Sequence, residues 1–339
     1  MASSTRIDGP TSSRSKAVPN SSASEACLFT LQTIPNKGKG LIASQDISPG
    51  TCILSEAPLF TTASLTSRET IERDLGTIVR SLPREGQRAF LSLHNNHPGR
   101  DPLSNIVRTN AYPLGPGSSI GAIFPTIARL NHSCRPNAQH AWNPAQQRET
   151  VRALRHIPAG AELTLSYSAG GPSDERRRLL KQHFGFDCAC DVCTLPPNER
   201  RASDARLRRA QQLDAAIGDS KRVMLTPEKA LADCRALLQL YRDEGMADTR
   251  IPRLYYDAFQ ICAMHSDQAR ARVFAHRSRE ARVLCEGEDS PEATLMMALA
   301  LKPSSHENFG ATAKWKTKVD KEPKDLGADL FEKWLWREK

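Results

Sequence analysis

Three cysteines within six residues, Cys188, Cys190 and Cys193 in CACDVC, constrain this chain more than any other feature. Thiols crowded so closely need a chemical reason to be there. Zinc in a structural site takes four ligands in a tetrahedron, so a metal reading requires a fourth ligand from elsewhere. Cys134 is the best distant candidate, inside the small, polar, turn-prone run Asn131-His132-Ser133-Cys134-Arg135-Pro136-Asn137. A run of that kind is either an exposed loop or a site, because burying it without fixed partners costs free energy. Spacing alone leaves three other readings open: a redox pair from Cys190 and Cys193, ordinary buried thiols, or a catalytic thiol. The redox reading wants a thioredoxin-like βαβ setting, which the surrounding sequence lacks. Nine cysteines, an odd number, argue against a disulfide framework. His132 taken alone reads more readily as a hydrogen-bonded structural histidine than as a ligand or base.

The 339 residues exceed the usual span of one domain, which points to a compact unit with an appendage. No run approaches the roughly 20 apolar residues of a membrane span, and the N-terminus lacks the apolar stretch of a secretory signal. A protein inside the cell, in the nucleus and/or cytoplasm, is therefore expected, with no membrane partner. A net charge of +9 would suit nucleic acid, chromatin or acidic protein surfaces. The Lys and Arg residues are scattered and no reader motif accompanies them, so specific nucleic-acid binding is not expected.

Residues 1–26 hold eight Ser and little apolar surface, and read as a disordered arm. From Cys27 to Phe60 short apolar runs broken by turns read as strands, with Pro49-Gly50 a turn between two of them. Ile71, Leu75, Ile78, Val79 and Leu82 recur at helical spacing within 67–94, with a break at Pro83. The Pro-, Gly- and Asn-rich stretch from His97 to Gly121 reads as loop, and TVRAL and AELTLSY as strands. After residue 200 the period becomes helical. One helix starts at Thr226-Pro227 with Thr226 as its cap, a second carries Leu254, Tyr255, Ala258, Ile261 and Cys262, a third spans about 267–285, and Ser290-Pro291 opens a fourth. These make two helical hairpins of tetratricopeptide (TPR) type, without that repeat's consensus. The last 38 residues are Lys-rich with Trp315, Trp334 and Trp336, and docking onto the body is favoured over binding a partner.

Four motifs in order, GKGL at 38–41, NHSCRPN at 131–137, ELTLSY at 162–167 and FGFDCACDVC at 184–193, resemble those of SET-domain protein lysine methyltransferases, in the SMYD-like branch. The resemblance covers about 27–195. It implies an α+β chain: a β-rich SET fold with a pseudoknot over 27–170, a helical and loop insert at about 61–120, a zinc-bound post-SET segment over 171–197, an all-α helical-hairpin domain over 200–301 and a basic tail over 302–339. It also implies one structural zinc on Cys134, Cys188, Cys190 and Cys193. S-adenosylmethionine would contact Lys39, Gly40, Asn110, Asn131, His132, Tyr167 and Phe186, with Phe184 walling the lysine channel. Tyr167 would orient the target amine and polarise the methyl group. The substrate is expected to be a protein lysine, histone or not, and the chain a monomer. A catalytically idle SET scaffold that recognises partners through its helical domain is the competing reading. The zinc-binding MYND module of that branch is absent, since 61–120 contain no cysteine.

Overall fold

The computed structural model describes residues 27–338. The expected arm at 1–26 lies outside them. The chain begins with an antiparallel hairpin, β1 (Phe29–Ile34) and β2 (Gly38–Ala43). Its turn follows from sequence: Pro35 presets φ, Asn36 takes the left-handed region at φ 60°, and Lys37 N–H closes on Ile34 O at 3.1 Å. Next come β3 (Cys52–Glu56) and β4 (Phe60–Thr61), then the insert helices α1 (Ile71–Ser81), α2 (Arg84–Leu91) and α3 (Pro102–Asn110). The break between α1 and α2 falls at Pro83, as the sequence indicates.

Helix α3 corrects the loop reading of 97–121. Pro102 occupies its first turn, where a missing N–H costs nothing, and the Glu72 carboxylate accepts from the Leu103 and Ser104 N–H groups. The helix start is thus completed by a residue about 30 positions upstream, which local composition does not reveal. Strands β5 (Ala111–Pro113), β6 (Gly121–Ile123), β7 (Asn131–His132), β8 (Ala138–Asn143), β9 (Arg148–Ala153) and β10 (Thr164–Leu165) follow. They form three-stranded sheets β3-β9-β8 and β4-β6-β5, and a short parallel pair, β10 with β7. Only Thr164 and Leu165 of ELTLSY are strand. Leu41, Ile47, Phe124, Ile127, Leu130, Val151, Ile157 and Leu163 fill the core between these small sheets. A satellite core under the insert gathers Leu75, Phe90, Ile106 and Ile123.

After α4 (Ser173–Phe184) and the cysteine segment the chain is helical: α5 (Pro197–Ile217), α6 (Ser220–Leu225), α7 (Pro227–Asp243), α8 (Arg250–Met264), α9 (Gln268–Glu286), α10 (Pro291–Leu301) and, in the tail, α11 (Ala328–Leu335). Ser290 caps α10 by accepting from Ala293 N–H at 3.0 Å. Thr226 does not cap α7; its hydroxyl donates to Arg222 O at the end of α6 instead. Phe259, Phe274, Leu231, Leu237 and Ile261 form one large core. The tail closes over it: Trp315 and Trp336 are only 5% and 4% exposed, and tail Glu332 and Arg337 pair with Arg277 and Asp267 of the body. The 302–339 tail carries nine Lys/Arg against seven Asp/Glu, so it is nearly charge-balanced and docks by paired charges as well as by indole burial. Helix α9 lies across β8 and β9, and Asn143 donates to Asp289 at 2.7 Å, so the helical unit rests directly on the β3-β9-β8 sheet.

Candidate active site and metal centre

The loop 131–137 and the segment 162–167 are tied together by short bonds. Ser133 N–H reaches Leu165 O at 2.9 Å, and Asn137 donates to Glu162 O while accepting from Thr164 N–H, both at 2.8 Å. The parallel pairing of Asn131 with Thr164 and His132 with Leu165 fixes the register. Asn131 then crosses to the first hairpin, its amide donating to Lys39 O at 3.2 Å and to Glu162 Oε1 at 2.9 Å. Gly40 permits that approach. A Cβ there would lie 2.3 Å from Ile34 Cδ1 and 2.7 Å from Asn131 Nδ2, so any side chain would displace one of them. The Lys39 ammonium turns aside to Thr33 Oγ1, leaving its backbone as the part that faces Asn131.

His132 is 5% exposed and both ring nitrogens have partners. Nδ1 accepts from the Tyr167 N–H at 3.0 Å, which places the proton on Nε2, 3.3 Å from Cys134 Sγ. Burial pushes the imidazole down to about 4, so it is neutral at physiological pH. The Tyr167 hydroxyl donates to Leu130 O at 2.6 Å, and burial holds the phenol well above its ordinary value. Phe184 packs on the Tyr167 ring at 4.8 Å between centroids, and Phe186 stands 6.1 Å from the His132 ring. Asn110 is placed differently. Its amide nitrogen donates to His94 O and Ile106 O within the insert, leaving Oδ1 as the atom available to a ligand.

Cys134, Cys188, Cys190 and Cys193 place all four sulfurs within 4.8 Å of one another, the one such group of potential metal ligands among the described residues. Cys134 Sγ is 3.9 Å from Cys188 Sγ and 3.6 Å from Cys193 Sγ. A tetrahedron with Zn–S bonds of about 2.3 Å has S···S edges of roughly 3.8 Å, so this donor set fits a zinc ion in spacing and chemistry. The segment is shaped by a tight turn in which Cys193 and Thr194 N–H both close on Cys190 O. Donors surround the sulfurs: Cys134 N–H points at Cys190 Sγ, and Arg176, 3% exposed, reaches Cys193 Sγ at 3.9 Å. Burial works against the Arg176 charge, but the sulfurs of Cys134 and Cys193 outweigh it and hold the guanidinium protonated. A buried cation beside thiolates offsets part of the negative charge a four-cysteine zinc site carries.

Sequence reasoning passed over Tyr112, His140, Glu149 and Arg176. Tyr112 sits two residues beyond Asn110 and stands edge-on to the His140 ring at 4.9 Å between centroids. His140 Nδ1 lies 2.7 Å from the buried Glu149 carboxylate, nine residues away on the neighbouring strand. No spacing rule in the sequence marks such a cross-strand pair.

Comparison with known proteins bears on the family of the chain. The SET domain family model matches residues 38–168. The chain is 34% identical over 285 residues to histone-lysine N-methyltransferase set5 of Schizosaccharomyces pombe, an alignment that covers 83% of this chain and 86% of that protein. It is 26% identical over 207 residues to human histone-lysine N-methyltransferase SMYD1, covering 56% of this chain and 37% of that one. With human N-lysine methyltransferase SMYD2 it shares 31% identity over 124 residues, which is 34% of this chain and 28% of SMYD2. The chain thus spans most of the yeast relative and about a third of each human one. Since likeness to set5 runs through the helical region as well as the loops that meet at Tyr167, this chain belongs to the SET-domain protein-lysine methyltransferase family.

Proposed function

We propose that the S-adenosylmethionine-dependent lysine methylation of this family is carried out here at Tyr167, on a histone and in the nucleus. The supporting observation is the continuous contact from Gly40 through Asn131 and His132 to Tyr167 and the two phenylalanines, built from four separate parts of the chain. The histone reading rests on set5, whose name gives that activity. S-adenosylmethionine, when bound, supplies a methyl group on a sulfonium centre. Lys39 backbone, Gly40, Asn131 and Phe186 form the face that would hold it, with Asn110 Oδ1 contributing from the insert. The His132 ring acts from behind, holding the Tyr167 backbone.

Tyr167 stays a neutral phenol whose hydroxyl proton is committed to Leu130 O. Its oxygen lone pairs remain to orient an amine and meet the polarised methyl group, and it does not act as the base. Phe184 and Tyr167 wall an apolar channel that excludes water, so a target amine is held at near-attack distance and its ammonium form is disfavoured. The four cysteines would hold one zinc ion that fixes the 184–193 segment, and hence Phe184 and Phe186, against the 131–137 loop. Helices α7 to α10 supply TPR-like paired helices that would form one wall of the substrate cleft.

The test is methyl transfer from radiolabelled S-adenosylmethionine to purified core histones, followed by mass spectrometry of the labelled band. Label on a histone lysine is the expected result. A histone left unlabelled while another protein of a cell lysate takes label would overturn the histone assignment, and label on nothing would favour the idle scaffold.

A further inference from the structure

Glu162, the first residue of ELTLSY, stands where three separate parts of the chain meet. Its backbone bridges Ile42 of β2, its carbonyl accepts from the Asn137 amide at 2.8 Å, and the next N–H, of Leu163, closes on Leu41 O at 2.8 Å. The side chain is 18% exposed, and each carboxylate oxygen has its own partner. Oε2 accepts from Lys37 Nζ at 2.6 Å, and Oε1 accepts from Asn131 Nδ2 at 2.9 Å. Lys37 belongs to the β1–β2 turn, which its own N–H closes on Ile34 O. One carboxylate therefore holds that turn and the 131–137 loop together.

The consequence falls on Asn131. A side-chain amide has two N–H donors on nitrogen and two acceptor sites on oxygen. Both donors are committed, to Lys39 O at 3.2 Å and to Glu162 Oε1, and both of those partners can only accept. That chemistry fixes which way the amide points. Turned over, Oδ1 would face a carbonyl and a carboxylate, exchanging two hydrogen bonds for two repulsions. As it stands, Oδ1 is directed away from both and has no partner among the described residues. A plain surface ion pair between Lys37 and Glu162 would be worth little, but this one also determines which atom Asn131 offers to a ligand.

We propose that Glu162 is a positioning residue for the cofactor: braced by Lys37, it holds the Asn131 amide so that Oδ1 accepts from the ammonium of the cofactor's amino-acid end. This rests on the assignment of Asn131 and Gly40 to the face that holds S-adenosylmethionine. The ammonium is the donor this corner suits, because a charge-assisted bond to the amide oxygen is the stronger kind and the neighbouring Lys39 carbonyl and Glu162 carboxylate attract a cation. Glu162 itself touches Asn131 and Lys37, so it acts on the cofactor through the amide.

The experiment is calorimetry of the full chain with two ligands, S-adenosylmethionine and methylthioadenosine, which keeps the adenosine and the sulfur but lacks the amino-acid end. Glu162→Leu should lower S-adenosylmethionine affinity by about 10-fold and leave methylthioadenosine affinity unchanged. Glu162→Gln, whose amide oxygen can still accept from Asn131, should recover most of that loss. Lys37→Met is a change at a more exposed side chain that lets the carboxylate drift; it should cost about 3-fold on S-adenosylmethionine alone, and it tests the proposal even if Glu162→Leu does not fold. In an Asn131→Ala background neither change should cost anything further, since the residue they act through is gone. Equal losses on both ligands, losses that multiply with Asn131→Ala, or parent affinity in Glu162→Leu would each overturn the proposal. If Asn131→Ala alone binds S-adenosylmethionine as the parent does, the assignment of the cofactor face has failed, a result distinguishable from failure at Glu162.

Discussion

At the scale of single residues, Gly40 shows how little room the site leaves. Its Cβ position is already filled by Ile34 and the Asn131 amide, so Gly40→Ala should push that amide off Lys39 O. We expect S-adenosylmethionine affinity to fall by about 10-fold, the scale of a small misplacement at a binding centre, and calorimetry will read it. An unchanged affinity would mean the 38–41 loop does not face the cofactor. Asn131→Ala should likewise weaken cofactor binding before it touches turnover of the bound complex. Tyr167, the NHSC residues and the clustered cysteines stand out in the sequence because they sit in short, dense motifs. The hydrogen bonds of His132 do not. Its partners, Tyr167 N–H and Cys134 Sγ, become visible only when residue 167 is folded beside residue 132. Tyr112, His140 and Glu149 left no signal for the same reason, being ordinary strand residues until the β8-β9 register pairs them.

Among elements, helices with strong apolar stripes were readable and those completed by distant residues were not. Helices α7 to α10 match their sequence positions within a few residues. Helix α5 was missed because Ser203, Asp204 and Ala210 occupy half of its buried positions, leaving Leu207, Leu213 and Ile217 as a faint stripe. Asp204 is explained by its bonds to Ser173 N–H and hydroxyl, which tie α5 to the start of α4. Helix α8 carries an element-level prediction at Asp257, whose carboxyl burial raises to about 6 from 3.8. A raised carboxyl favours the folded state fully below the unfolded value of 3.8, and that contribution is lost as pH rises through 6. At pH 7.5 the ionised side chain therefore opposes folding. Asp257→Asn should stabilise the protein by about 1–2 kcal/mol at pH 7.5, allowing for solvent screening, and by almost nothing near pH 3. Urea unfolding at the two pH values decides it, and equal stability of both proteins at pH 7.5 would contradict the burial argument.

For the whole molecule, a four-cysteine centre, a sheet-based site and a helical unit are joined by contacts that cross between them. Purified protein should carry about one zinc per chain, and Cys190→Ser should lose it together with cofactor affinity, because Phe184 and Phe186 pack on the same cluster. Metal analysis and calorimetry on the same sample check both halves of that statement; a metal-free variant that binds S-adenosylmethionine normally would separate the centre from the site. Trp336→Ala, which empties a buried indole position against Phe274, should cost about 3–5 kcal/mol and lower the melting temperature. The account as a whole rests on Tyr167. Tyr167→Phe keeps the ring against Phe184 and removes the hydroxyl. In single-turnover methylation of core histones by the full chain, this variant should bind S-adenosylmethionine as the parent does and transfer methyl on the order of 100-fold more slowly or worse. Transfer at the parent rate with cofactor bound would contradict the assignment of the active centre.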